Sequence, residues 1–160
     1  MAVRDEEERY MRLAVELALR NVQEGRGGPF AALVVRDGEV LAAGTNQVTP
    51  RNDPTAHAEV VAIREACARL GSFQLTGCDL YASCEPCPMC LGAIYWARPA
   101  RVFYASSRED AAAIGFDDAF IYDEIARDPA MRRIPFVRLQ VPGAEEAMRA
   151  WLGTPDKVPY

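Results

Sequence analysis

A single histidine stands two residues before a glutamate, in His57-Ala58-Glu59, and a cysteine pair follows downstream at C-x-x-C spacing, in Pro86-Cys87-Pro88-Met89-Cys90. No other pattern in the chain constrains the fold so tightly. If one imidazole and two thiolates form one ligand set, the two segments that carry them must meet at a point. His57 opens one expected helix. Cys87 and Cys90, three apart, open another, where both thiols lie on one face. A helix N-terminus also favours thiolates through its dipole. The fold therefore has to bring two helix N-termini together.

Zinc prefers nitrogen and sulfur ligands, and a catalytic site keeps three protein ligands and leaves a fourth position for water. His57, Cys87 and Cys90 supply such a set. Glu59 is left over, and an acid beside an open metal serves as a proton shuttle. Other readings stay open on the residues alone. Cys87-x-x-Cys90 is also the spacing of a redox dithiol, although that chemistry needs no His-x-Glu partner. Cys84 added to the three makes a closed Cys3His structural site. His57 by itself reads as a satisfied core histidine, and Glu59 by itself as a first-turn acid facing the helix dipole. Cys67 reads as a core residue. Cys78 falls at a turn-to-strand boundary, and Glu85 beside Pro86 reads as structural.

Bulk properties narrow the class. The 160 residues suggest one domain, and half are hydrophobic, enough for a proper core. The formal net charge is −5 with no basic block, which argues against nucleic acid or an anionic membrane as the main partner. The segment Ala2 to Arg12 is charged and lacks the apolar core of a signal peptide, and no apolar run is long enough to span a bilayer. A cytoplasmic, reducing setting is expected. There, clustered cysteines serve as metal ligands or catalytic groups more often than as disulfides.

Periodicity predicts a helix over 6–23, with Met11, Val15, Ala18 and Val22 recurring on one face. Apolar runs over 30–35 and 40–44 flank Asp37-Gly38, a hairpin signal, and 45–54 reads as a polar loop. A second helix is expected over 56–70, with Val60, Ile63, Cys67 and Leu70 on one face. A short strand over 80–83, a helix over 87–96 and a strand over 101–105 follow. Residues 115–122 read as an aromatic, acidic loop or short helix, 134–141 as a last strand and 144–152 as a last helix. Two hairpin strands followed by αβ units imply a mixed central sheet with helices on its faces.

With these residues in hand, the chain resembles the cytidine deaminase-like zinc deaminase superfamily, whose signature joins His-x-Glu to Pro-Cys-x-x-Cys. Within it, the chain resembles the bacterial guanine deaminases. The most specific runs are Gly27-Gly28-Pro29-Phe30, the stretch from Asn52 to Glu59, the stretch from Ser83 to Pro99, and Gly115-Phe116-Asp117-Asp118. The resemblance implies an α/β class, a three-layer α/β/α cytidine deaminase-like fold with a mixed central sheet, in a single zinc-dependent deaminase domain over 1–160. It implies hydrolysis of guanine to xanthine and ammonia, with one Zn2+ per subunit held by His57, Cys87 and Cys90 and water as fourth ligand. Glu59 and Asp118 would be catalytic. Phe30, Asn46, Ala58, Trp96 and Tyr160 would meet the base.

It further implies a homodimer that exchanges C-terminal segments, about 142–160 here, so that a partner's tail closes each site. On their own, Asn46 reads equally as a loop residue, Asp118 as a helix cap, and Phe30 and Trp96 as core. The same chemistry on guanosine or an aminotriazine such as ammeline is a rival. So is tRNA adenosine deamination, which would need a basic groove for an RNA loop. A zinc-stabilised binding module is the non-enzymatic rival.

Overall fold

The computed structural model describes residues 2–160, with side chains from Asp5 onward. The chain divides into two compact units, one ending at Asp118 and one spanning Ala119–Tyr160.

The first unit opens with helix α1 (Ala2–Gln23), followed by strands β1 (Ala31–Arg36) and β2 (Glu39–Thr45). Asp37 and Gly38 join them with φ of 51° and 77°. Two successive positive φ values match the right-handed twist of the strands they connect. A short helix α2 (Val48–Arg51) leads to α3 (Ala58–Leu70), β3 (Cys78–Cys84), α4 (Pro88–Ala97), β4 (Arg101–Ser106) and α5 (Arg108–Ala113). The sheet order is β2-β1-β3-β4. Strand β1 runs antiparallel to β2 and β3, while β3 runs parallel to β4. The sheet is therefore mixed, as expected.

The pleat sends alternate residues to opposite faces, and each face meets helices. Ala32 and Val34 of β1, with Leu80 and Ala82 of β3, pack with Ala58, Ala62, Ile63 and Ala66 of α3 and Ile94 and Ala97 of α4. Leu33, Val35 and Tyr81 point the other way, onto Tyr10 and Ala14 of α1. Covered on both sides, β1 reads as a continuous apolar run, Ala-Ala-Leu-Val-Val, instead of an alternating one. The α/β arrangement with helices on both faces of a mixed sheet matches the expectation.

Two local readings change. The buried face of α1 is Tyr10, Ala14, Ala18 and Asn21, while Val15 and Val22 are exposed. The expected stripe was offset, because large apolar residues such as Leu13, Val15, Leu19 and Val22 lie off the core face of α1, which holds small alanines. The loop expected over 45–54 contains α2.

The second unit holds helix α6 (Ala119–Ala126), a 3-10 turn (Pro129–Met131) and helix α7 (Glu146–Gly153). The strand expected over 134–141 does not form; these residues have no regular structure. Their alternating apolar pattern suits a strand, but a strand exists only with a hydrogen-bonding partner. None of the described residues of this unit is buried, and Val137, Leu139, Met148, Trp151 and Leu152 are all exposed. Among the described residues, no helix is long and apolar enough to cross a membrane.

Candidate metal centre and active site

The turn before α3 is built to deliver one side chain. Asn52 adopts a left-handed φ of 48°. The Asp53 carboxylate then accepts from Thr55 N at 2.8 Å and Thr55 Oγ1 at 2.7 Å, an Asx turn that holds its pKa below the usual carboxylate range. Ala56 N donates to Asp53 O at 3.1 Å, and His57 N to Thr55 O at 2.8 Å. His57 is thereby left as the N-cap of α3, extended at φ −68° and ψ 153°. Strand β2 crosses this first turn very closely. A Cβ on Gly44 would lie 2.3 Å from Ala58 O and 2.6 Å from Ala62 N, so only glycine lets the strand and the helix backbone meet there.

Strand β3 delivers the other half. After Cys84 and Glu85, Cys87 becomes the N-cap of α4 at φ −67° and ψ 168°, with Pro88 in the first helical position. Proline is pre-set for that place, having no N–H to satisfy. Cys90, one turn on, is fully buried.

The two helix starts converge. His57 Nδ1 lies 3.4 Å from Cys87 Sγ and 3.6 Å from Cys90 Sγ, and the three donor atoms all lie within 4.8 Å of one another. Tetrahedral zinc with ordinary Zn–N and Zn–S bonds asks for N···S separations of about 3.5 Å. The residues present therefore fit the ion. Cys84 is not in the cluster: its thiol donates to Ser107 O at 3.4 Å, and burial pushes it up to about 11. The closed Cys3His arrangement thus lacks its fourth ligand. All five cysteines are free thiols.

Electrostatics favour a cation at this point. Hydrogen bonds from the Cys90 thiol and from His57 bring Cys87 down to about 4. The same cysteine pairing and burial push Cys90 upward, and the bond to Cys87 raises His57. The pair is thus split, Cys87 favouring its thiolate and Cys90 its thiol, and a bound metal requires both to be deprotonated. Glu59, 8% exposed, sits beside the cluster and its Oε2 accepts from Cys90 Sγ at 3.4 Å. Burial, reinforced by the Cys87 charge, raises its pKa. A buried carboxyl with a raised pKa is suited to taking and returning a proton.

The remaining expected residues fall into three groups. Asn46 is buried, and its Oδ1 accepts from Gly28 N and Val48 N, both at 3.3 Å. Ala58 is buried in the first turn of α3. Phe30 packs on the core and meets Phe116 edge-to-face, with centroids 4.9 Å apart. Asp118 is half-buried, and its pKa is raised by desolvation and then by the charge of Cys87, which ties it electrostatically to the metal cluster. Trp96, on α4, is 63% exposed, and Tyr160 belongs to the second unit and is also exposed.

Sequence reasoning missed Phe116, the Asp53–Thr55 turn and the buried Asn21. Phe116 lay within a quoted motif but carried no assigned role. Asn21 falls three residues after Ala18 on the true core face of α1, a signal hidden by the offset stripe.

The family model of the cytidine and deoxycytidylate deaminase zinc-binding region matches residues 4–106. The guanine deaminase of Bacillus subtilis (strain 168) is 54% identical over 153 residues, spanning 96% of this chain and 98% of that protein. An X-ray structure of guanine deaminase from Bacillus subtilis superposes with a TM-score of 0.94 at 54% identity, covering 96% of this chain and 98% of that one. The tRNA-specific adenosine deaminase of Aquifex aeolicus is 39% identical over 99 residues, spanning 62% of this chain and 65% of that protein.

Proposed function

The chain belongs to the cytidine and deoxycytidylate deaminase zinc-binding family, and from that membership we infer its reaction, the hydrolysis of guanine to xanthine and ammonia. The observation that carries the chemistry is the convergence of His57, Cys87 and Cys90, with the Glu59 carboxylate 3.4 Å from Cys90 Sγ. The choice of guanine is supported by likeness to a guanine deaminase along nearly the whole chain, whereas likeness to a tRNA adenosine deaminase covers less than two thirds of it.

In this reading His57, Cys87 and Cys90 would hold one zinc per chain, and the ion would supply an acidified water at neutral pH. Glu59 Oε2 takes a proton from that water and gives it to a ring nitrogen of the base. The water oxygen bonds to the carbon bearing the exocyclic amine, the remaining hydroxyl proton passes by way of a carboxylate to that amine, and the C–N bond breaks to release ammonia as the carbonyl forms. Asp118 faces the N–H side of guanine as acceptor and assists the departing amine; its raised pKa suits a group that handles protons. Asn46 spends its Oδ1 on two backbone N–H groups, so its Nδ2 is the atom offered to an acceptor on the base. Phe30 and Trp96 border the flat ring, and the Ala58 backbone touches its edge.

The active form is a homodimer that exchanges residues from about 142 onward, so that the partner's Tyr160 closes each site and leaves no room for a ribose. Three features support this. Residues 119–160 bury no described side chain. Met148, Trp151 and Leu152 make α7 apolar on one side without a core to receive it. Strand β4 is an edge of the sheet, and exposed edges are normally covered. Five free thiols suit a reducing cytoplasm.

A panel of guanine, guanosine, adenine, cytosine and ammeline, scored for ammonia release by zinc-loaded protein, tests the assignment. Guanine should dominate. Guanosine turned over as fast as guanine would defeat the closed pocket, and preference for another base would defeat the substrate assignment while leaving the zinc chemistry intact.

A further inference from the structure

We propose that Asn21, on α1, is a positioning residue that fixes the aim of the Asn46 amide at the purine, and so governs how tightly the base is held. This rests on the reading of Asn46 as a base contact. Asn21 is 2% exposed, in a helix face otherwise made of Tyr10, Ala14 and Ala18. A polar side chain is costly there unless its hydrogen bonds are made. Its Nδ2 makes two, to Gly28 O at 2.8 Å and to the main-chain oxygen of Asn46 at 3.0 Å. The orientation is dictated, because the flipped amide would set oxygen against two carbonyl oxygens.

These bonds close a ring. The Gly28 carbonyl is held by Asn21, and the Gly28 N–H by Asn46 Oδ1. The Asn46 carbonyl is held by Asn21, and its N–H by Phe30 O at 2.9 Å. Gly27, at φ +149°, presses on the same place: a Cβ there would lie 2.2 Å from Asn46 O, so no side chain can come between. With main chain and Oδ1 both engaged, Asn46 has only Nδ2 to offer, and in one direction. The Asn21 Oδ1 is buried without a hydrogen-bond partner among the described residues. An apolar residue would avoid that cost, so what Asn21 contributes is its pair of donors. Through Asn46 and Phe30 the ring reaches two of the residues placed against the base.

The test is a double-mutant cycle on the zinc-loaded enzyme, Asn21→Ala against Asn46→Ala, with guanine as substrate. Asn21→Ala should raise KM about tenfold with kcat within about twofold and zinc content unchanged, the pattern of lost ground-state binding. In the Asn46→Ala background the same change should raise KM no further, because two residues acting through one contact are not additive. If Asn21→Ala does not fold, Asn21→Ser keeps a donor and should give a smaller KM rise of the same kind. Wild-type KM in a folded but less thermostable Asn21 variant overturns the proposal, as do KM effects that multiply in the double variant. Wild-type KM in Asn46→Ala would instead overturn the base contact itself.

Discussion

Helix α5 opens on Ser107, whose Oγ accepts from Asp110 N at 3.2 Å while the Asp110 carboxylate accepts from Ser107 N at 2.8 Å. Helices α3 and α4 open on His57 and Cys87, whose side chains make no capping bond among the described residues. All three caps are extended, so the backbone is ready for the same device in each case. The six-residue α5 has a full capping box, which satisfies two orphan N–H groups reciprocally. At α3 and α4 the capping positions are occupied instead by His57 and Cys87, two of the three side chains clustered as possible metal ligands. The difference shows where local stability has given way to chemistry: the residues that would tie down the two helix starts are turned outward to meet one another. Helices α2 and α7 also open without a side-chain capping bond; what sets α3 and α4 apart is that their N-cap side chains both belong to one cluster of three possible ligands.

Three substitutions probe that contrast. The largest effect is expected from Glu59→Gln, one residue inside α3. It should keep fold and zinc and lose at least about two orders of magnitude in kcat; retention of rate would remove Glu59 from the chemistry. The same variant reports on stability. Burial raises the Glu59 pKa in the folded state, so the folded protein binds that proton more tightly than the unfolded chain. The contribution of this group is therefore fully present below the unfolded carboxyl pKa and is lost as pH rises through the folded value. In metal-free protein Glu59→Gln should match wild type in acid and melt higher near neutrality, as read from Tm against pH. Parallel Tm curves would refute the burial argument.

Next comes His57→Ser, which removes a ligand and installs a good cap. Zinc should raise the Tm of wild type and not of the variant, and activity should fall to an extent similar to that in Glu59→Gln. Without metal the variant should gain about 1 kcal/mol, the usual worth of a serine N-cap. A metal-free loss of stability would mean that His57 already serves the helix. The smallest effect belongs to Ser107→Ala. It should cost about 1 kcal/mol and leave KM and kcat within twofold. A large kinetic effect would show that α5 is no bystander and would blur the contrast.

The ligand pattern was legible because ligand chemistry demands particular residue types at particular spacings. A lone His57 near Glu59, with Cys87 and Cys90 one helical turn apart, has few other uses. The hairpin was legible in Asp37-Gly38 for a similar reason: few residues accept two positive φ values. Packing was less legible. Ala14 and Ala18 carry little hydropathic contrast against Leu13, Val15, Leu19 and Val22, so α1 showed no single stripe, and Asn21 was overlooked with it. The strand pattern over 134–141 was real as a pattern. Pairing, however, is a property of two segments, and one sequence window does not contain its partner. Helix α5 escaped notice because its six residues are too few for periodicity to register.

The protein has only two tryptophans, and both lie on its surface, Trp96 on α4 at 63% exposure and Trp151 on α7 at 45%. The aromatic interior is tyrosine: Tyr10 and Tyr81 are buried, with Phe103 stacked on Tyr81. Indole emission from a single chain is consequently a poor thermometer for the core, since those rings are already wet before it melts. It is instead a sensor of the outside. Whatever covers α4 or α7 will dry an indole and shift its light, while the melting of the sheet will be written in the near-ultraviolet dichroism of tyrosine.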